Sequence, residues 1–255
     1  MSIRATFAKH LRTRATLVGS FVKSSDPANV ELLGHAGFDF VILDAEHAAF
    51  DRADVARMAM AARAANLPLV VRVPATDGGW IATVLDAGAA GIMAPQVRDA
   101  DMARALVAAT RYGPNGLGFS PSTAGADYGT RGIAGHLAQA PEETVLICQI
   151  EDRTAVQNAA EIAAVDGVDA LLLGPVDLTV SLGLTDPTAP EITDLCKRTI
   201  KAGVAAKTTA GLFLGNPADS QKWQSAGANL FVIGSDQAFL LGAAKAALQQ
   251  FRHSS

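Results

Sequence analysis

Eight short apolar runs, each followed by a helical stretch, constrain this chain more than any other feature. They are Leu17–Phe21, Phe40–Asp44, Leu69–Val73, Gly91–Pro95, Thr144–Ile150, Ala170–Gly174, Ala210–Leu214 and Leu230–Gly234. Short continuous apolar runs suit parallel strands buried on both faces. Between them, Asp51–Ala64, Asp99–Thr110, Thr154–Ala163, Glu191–Ala202 and Asn216–Ala226 read as helices. Asp51 or Asp54, Thr154 and Asn216-Pro217 supply plausible N-terminal caps. Repeated strand–helix alternation predicts an α/β fold closed as a (β/α)8 TIM barrel, and 255 residues suit one such barrel. The competing open doubly wound sheet would carry a glycine fingerprint after its first strand. Here that position reads Phe21-Val22-Lys23-Ser24-Ser25-Asp26. With no repeat and no low-complexity linker, residues 1–255 are expected to form a single domain.

A formal net charge of −4 gives no electrostatic reason to expect nucleic acid or an acidic membrane as partner. No apolar run has the length of a membrane span, so no membrane partner is expected. The two cysteines, Cys148 and Cys196, lack metal-type spacing and cannot form a disulfide framework. Arg4, Lys9, Arg12 and Arg14 precede the first acid, Asp26, a weak likeness to a mitochondrial presequence. The reading preferred is a surface helix closing the barrel bottom, with a cytoplasmic location. The connection Arg111–Gly132 is long and rich in Gly, Pro, Ser and Thr, and such loops are seldom idle. It starts on the barrel's lower side, to fold beside the barrel, meet a neighbouring subunit or remain a surface segment, before a helical piece at Ile133–Ala140.

The chemistry-bearing residues stand at strand ends, where barrel enzymes keep their active sites. Gln149 and Glu151 share one face of their strand, and an apolar barrel interior obliges both to find partners. Asp177, in the turn Gly174-Pro175-Val176-Asp177, brings a second carboxylate from the next strand. All-oxygen ligation by Glu151 and Asp177 selects a hard ion, Mg²⁺ or Mn²⁺, over zinc. Two protein ligands leave an octahedral ion room for water and for a 2-oxo acid bound through carboxylate and keto oxygens. The structural alternative pairs Glu151 with Arg72 or Arg153 and uses Asp177 as a helix cap. Arg72, opposite Val71 and Val73, points inward, where a permanent cation stabilises an oxygen gaining negative charge. It is also a possible partner for Asp44. His47 follows Asp44-Ala45-Glu46 and reads as a general base oriented by Asp44, with Glu46 holding water. Gly234-Ser235-Asp236 reads as a helix cap rather than a phosphate site, and Lys207 as surface.

Taken together, Gly37-Phe38-Asp39-Phe40, Leu43-Asp44-Ala45-Glu46-His47-Ala48, Val71-Arg72-Val73, Gln149-Ile150-Glu151 and Gly174-Pro175-Val176-Asp177-Leu178 resemble the HpcH/HpaI aldolase (citrate lyase-like) family. The likeness runs in order over nearly the whole chain, including Thr110-Arg111-Tyr112 and Gly234-Ser235-Asp236. It implies a metal-dependent class II pyruvate aldolase on a (β/α)8 barrel. Such barrels are usually homohexamers whose last helix is exchanged between subunits. It further implies Mg²⁺, Mn²⁺ or Co²⁺ on Glu151 and Asp177, with no organic cofactor. Pyruvate would chelate the ion and meet backbone N–H groups near Gly174, Val176 and Asp177. Arg72 would steady the enolate oxygen beside Gln149, and His47, oriented by Asp44, would move protons through a metal-bound water.

Many relatives carry an arginine in the glycine-rich loop, in some of them facing the aldehyde portion of the substrate. This chain reads Asn115-Gly116-Leu117-Gly118-Phe119-Ser120 there, which points to a neutral, hydroxylated aldehyde unless Arg131 substitutes. The expected reaction is reversible cleavage of a 4-hydroxy-2-oxo acid to pyruvate and an aldehyde, with oxaloacetate decarboxylation as a side activity. Two alternatives are a citryl- or malyl-CoA-type lyase, which would need a basic surface for CoA phosphates, and a catalytically silent barrel used for binding or assembly.

Overall fold

The computed structural model describes residues 1–76, 78–113 and 116–253. Eight parallel strands hydrogen-bond in sequence order and close on themselves: β1 (Leu17–Val22), β2 (Phe40–Asp44), β3 (Leu69–Arg72), β4 (Gly91–Ala94), β5 (Val145–Ile150), β6 (Ala170–Leu173), β7 (Thr209–Leu214) and β8 (Leu230–Ser235). The chain is thus a closed (β/α)8 barrel. The helices are α1 (Ile3–Arg12), α2 (Ala28–His35), α3 (Arg52–Ala64), α4 (Gly78–Asp86), α5 (Ala100–Ala109) and α6 (Gly132–Glu143). They continue with α7 (Arg153–Gln157), α8 (Ala159–Ala163), α9 (Pro175–Ser181), α10 (Pro190–Ala206), α11 (Ser220–Ser225) and α12 (Asp236–His253).

Alternation along each strand sorts side chains into two layers. Ile42, Val70, Ile147 and Leu172 fill the barrel, while Leu43, Val71, Cys148 and Leu171 pack outward on the helices. Gly19 leaves space for the Phe40 ring, since a Cβ there would come within 2.4 Å of it. The amino-terminal helix plugs the lower end: Phe7 and Leu11 join the inner layer, and Phe7 lies 5.3 Å from Phe40, centroid to centroid. Much of the basic amino terminus is structural. Arg4 reaches Glu143 at 2.7 Å, and Arg12 reaches Asp169 at 2.7 Å.

Several helix boundaries differ from those read in the sequence. Thr154–Ala163 breaks at Asn158, and its cap is Asp152, whose side chain accepts Ala155 N–H at 2.8 Å. Asp51 and Asp54 cap α3 reciprocally rather than alternatively. The piece expected to stop at Ala140 runs on through Pro141 to Glu143, because a proline near a helix end removes only one hydrogen bond. Asn216 caps a 3₁₀ turn, Pro217–Asp219, which leads into α11. In the long connection, Arg4 Nη2 donates to Gly125 O at 2.9 Å, fastening that part to the lower side of the barrel. No helix among the described residues is long and apolar enough to cross a membrane.

Candidate active site

Asp44 and Arg72 are register partners on β2 and β3, and both point into the barrel at its C-terminal rim. Arg72 Nε donates to Asp44 Oδ1 at 2.8 Å and Nη2 to Oδ2 at 2.7 Å. This two-pronged pair fixes the guanidinium plane, which lies 4.9 Å from the Phe21 ring centroid. Lys23 Nζ adds a contact to Asp44 Oδ2 at 3.1 Å, and His47 N–H donates to Oδ1 at 3.2 Å. Burial alone would raise the Asp44 carboxyl. The Arg72 hydrogen bonds and charge, with Lys23 and the His47 amide, outweigh it and hold Asp44 below the usual carboxylate range.

That arrangement corrects the orienting role expected of Asp44. Its carboxylate meets the backbone of His47, not the imidazole, because the strand end aims Asp44 inward while the following turn carries the ring out. The carboxylate nearest the ring is Glu46, with Oε2 3.7 Å from His47 Nε2. The same oxygen stands 3.4 Å from Arg72 Nε, yet it is buried and accepts no hydrogen bond. His47 itself is about half exposed, open to solvent and to the cavity it lines.

Gln149 and Glu151 point inward at the top of β5, as alternation with Ile147 requires. Gln149 Nε2 donates to Glu151 Oε2, and Gln96 N–H donates to Glu151 Oε1 at 2.8 Å. Gln96 reaches that position through a left-handed backbone, with φ of 55°, unusual for a side-chain-bearing residue. Gln149 Oε1 is buried without a partner. The Glu151 carboxyl is pushed up to about 7, first by burial and then by the negative charge of Asp177. The structural alternatives for these acids are absent among the described residues. Arg153 pairs with Glu191 at 2.9 Å, Arg72 holds Asp44 and approaches Glu46, and Asp177 makes no capping hydrogen bond in α9.

Asp177 is the third residue of α9, directly after β6, so the short Gly174 turn brings it beside Gln149. A Cβ on Gly174 would lie 2.7 Å from Asp177 Oδ2 and 3.3 Å from Gln149 Nε2. Gly174 therefore keeps space open between them. Its own N–H donates to Ile150 O at 3.3 Å, so it is committed to the sheet and is not a donor to a ligand. The first bond closing α9 runs from Leu178 N to Gly174 O at 2.9 Å, which leaves Val176 and Asp177 as the first-turn N–H groups. Pro175, Val176 and Asp177 line one cavity with His47, Arg72 and Gln149, of about 270 Å³.

Other candidate residues fall elsewhere. Arg131 Nε holds Asp127 at 2.6 Å and Nη1 holds Glu143 at 2.7 Å. It lines a cleft with Ser2 and Arg4 at the lower end, so it does not replace a loop arginine in this chain's cavity. Asn115, the first residue of that loop stretch, lies outside the described residues. Lys207 caps α10 ahead of β7, at the end of the barrel away from the cavity. The cap of α12 comes from Ser235 Oγ, which accepts Ala238 N–H at 3.2 Å. Asp236 accepts the N–H groups of Lys23 and Ser24 at 2.9 and 3.0 Å, clasping the β1–α2 loop. Sequence reasoning missed Lys23, Phe21 and Gln96. Only the inward parity of Phe21 on β1, continued to Lys23 one residue past the strand, offered a signal.

A family model described as HpcH/HpaI aldolase/citrate lyase matches residues 17–243. The hydroxypyruvate/pyruvate aldolase of Paraburkholderia phytofirmans is 34% identical, with 97% of this chain and 99% of that protein covered. The 5-keto-4-deoxy-D-glucarate aldolase of Klebsiella pneumoniae is 33% identical, covering 96% of this chain and 94% of its own. Among solved structures, a protein of the same family from Burkholderia cenocepacia superposes with a TM-score of 0.91 at 35% identity. That match covers 97% of this chain and 99% of the other.

Proposed function

The chain belongs to the HpcH/HpaI aldolase/citrate lyase family, and from that premise we propose a divalent-metal-dependent class II aldolase that reversibly cleaves a 4-hydroxy-2-oxo acid to pyruvate and an aldehyde. The relatives named as aldolases acting in pyruvate and keto-deoxy-glucarate chemistry support this carbon–carbon lyase reading over a CoA-thioester lyase or a silent barrel. The observation that carries it is the acidic pair. Glu151 is buried near Asp177, and their mutual repulsion together with desolvation makes a cation the natural third member.

The residues present fit such an ion. Glu151 and Asp177 offer carboxylate oxygens, and Gln149 Oε1 and Glu46 Oε2 are buried acceptors lacking a hydrogen bond. Among the described residues no three His, Cys, Asp or Glu side chains form a metal-holding group, so a hard, partly hydrated ion suits the pair better than zinc. Mg²⁺ or Mn²⁺ is the reading, with Co²⁺ as a further candidate. When bound, the ion supplies Lewis acidity at a 2-oxo group.

The chain's own groups do the rest. The first-turn N–H groups of Val176 and Asp177 receive the pyruvate carboxylate. Arg72, locked by Asp44, presents its remaining N–H groups to the keto oxygen as negative charge develops there. His47, with Glu46 beside its Nε2, takes the proton from the 4-hydroxyl as the C3–C4 bond breaks and returns it in condensation. Phe21 and Phe213 cover the cavity's inner side and exclude water. Decarboxylation of oxaloacetate draws on the same electron sink.

Alpha-12 supports subunit exchange in a homo-oligomer, with a hexamer as the family expectation. It has no buried residue, and Leu240, Leu241 and Phe251 are exposed by 74, 56 and 73%. A cytoplasmic location and a single domain over 1–255 belong to the same reading. The test is a screen of aldehydes with pyruvate and Mn²⁺ or Mg²⁺ against a chelator control. Aldol formation that survives the chelator contradicts the metal-dependent reaction.

A further inference from the structure

Three guanidinium groups meet at the lower end of the barrel, and the reaction above makes no use of them. Arg4 on α1, Arg63 in the last turn of α3 and Arg131 at the start of α6 line one cleft of about 130 Å³, beside the entry to β3. Two carboxylates answer them. Glu143 is shared, lying 2.7 Å from both Arg4 and Arg131, and Asp127 lies 2.6 Å from Arg131. Arg63 has no carboxylate partner among the described residues; its contact is the Tyr128 ring, 6.0 Å away. Positive charge is therefore in excess. Burial lowers the Arg4 guanidinium from its ordinary value, Glu143 opposes this, and the charges of Arg131 and Arg63 add to the lowering.

Several donors remain uncommitted. Arg4 spends Nη2 on Gly125 O and Glu143, leaving Nε and Nη1, while Arg131 spends Nε and Nη1, leaving Nη2. None of these three nitrogens is sealed from solvent without a partner. The first-turn N–H groups of Ile3 and Arg4 also lack an acceptor among the described residues. Ser2 Oγ serves Ala5 N–H at 3.2 Å, and no acid occupies that turn. Ala59, Ala62 and Leu67 supply an apolar wall, so a charge held in the cleft is weakly screened.

Size and direction select the ligand. At ~30 Å³ per water the cleft has room for about four waters. A cofactor-sized molecule needs roughly 300 Å³ or more. A carboxylate offers its two oxygens in one plane, to a single guanidinium fork. Cations arriving from three separate elements suit a tetrahedral oxyanion, whose oxygens point in several directions. We propose that this cleft is an anion site for phosphate, free or as the terminal phosphoryl group of a small metabolite, held by Arg4, Arg63, Arg131 and the start of α1. Its occupancy ties α1, α3, α6 and the long connection together, at the end of the barrel away from the catalytic cavity. The site does not depend on the aldolase reading.

Calorimetric titration at fixed ionic strength, in chloride buffer with a chelator present, tests this with inorganic phosphate, glycerol 3-phosphate and acetate as probes. The proteins are wild type, Arg63→Met, Arg63→Lys and Arg72→Ala. Arg63 is exposed and holds no carboxylate, so removing its charge orphans no buried group. Wild type should bind a phosphate probe more tightly than acetate, and the tighter of the two phosphate probes identifies the source. Arg63→Met should weaken that binding roughly 10- to 100-fold, the worth of a hydrogen bond to a charged group. Arg63→Lys should retain most of it, and Arg72→Ala should bind as wild type, which separates this cleft from the catalytic cavity. At a hundredfold excess over Kd, phosphate should raise the wild-type melting midpoint by about 5 °C. No phosphate binding by wild type at millimolar concentrations, equal binding by wild type and Arg63→Met, or a loss confined to Arg72→Ala would each overturn the site. Acetate binding as tight as phosphate would overturn the ligand class.

Discussion

Replacing Glu151 by Gln in the metal-free protein isolates the electrostatic strain attributed to the acidic pair. In the fold, burial and then the Asp177 charge lift the Glu151 carboxyl from an ordinary 4.5 to about 7. At ~1.36 kcal/mol per pH unit, ionising it in the folded state costs about 3 kcal/mol relative to the unfolded chain. The folded value lies above the unfolded one, so no cost exists below about pH 4.5; it grows as pH rises and levels off above about 7. Glutamine stays neutral. It keeps the acceptor for Gln96 N–H, and the Gln149 amide can turn to offer its unpartnered Oε1. Glu151→Gln should therefore melt close to wild type at pH 4.5 and about 6 °C higher at pH 8, using ~2 °C per kcal/mol for a chain of this size. Differential scanning calorimetry at matched protein concentration, with a chelator present, measures this. Adding Mn²⁺ at pH 8 should raise the wild-type midpoint, because ligand binding stabilises only the folded state, and should leave the variant unmoved. A variant whose advantage is the same at pH 4.5 and 8, or that never melts higher, would show that Glu151 carries no such ionisation cost.

Arg72→Ala should lower turnover on the order of a hundredfold or more by removing the cation from the keto oxygen, while Mn²⁺ affinity measured by calorimetry persists. His47→Ala should suppress aldol cleavage far more than Mn²⁺ binding; unchanged steady-state turnover removes it from proton transfer. Glu143→Gln should cost roughly 3–5 kcal/mol in chemical denaturation, because Glu143 is buried and holds Arg4, Arg131 and Ser2 at 2.6–2.7 Å. That loss should leave the turnover of the folded protein intact, since the cluster lies at the opposite end of the barrel from the cavity lined by His47, Arg72 and Asp177.

The strands were legible because buried parallel strands are continuous apolar runs. Phe40–Asp44 is recovered to the residue, and the other strands to within one residue at either end. Side-chain direction was equally legible wherever strand alternation governs it: Arg72 opposite Val71, and Gln149 with Glu151 opposite Cys148 and Ile150. What alternation does not encode is pairing across loops. Asp44 meets Arg72 through β2–β3 register, while its relation to His47 depends on a turn that separates ring from carboxylate. Gln96 enters through a left-handed backbone that its side chain does not announce. Arg131 read as a spare cation until its helix turned it toward Glu143, and Lys23 read as loop until β1 carried it over the rim. In each case the missing information was a long-range contact rather than a local preference.

The most direct measurement is a manganese anomalous difference map from crystals grown with Mn²⁺ and pyruvate. One strong peak is expected between the carboxylates of Glu151 and Asp177, with pyruvate against Arg72 and the start of α9. A peak bound by other side chains, or none there while the crystals still turn over substrate, would contradict it.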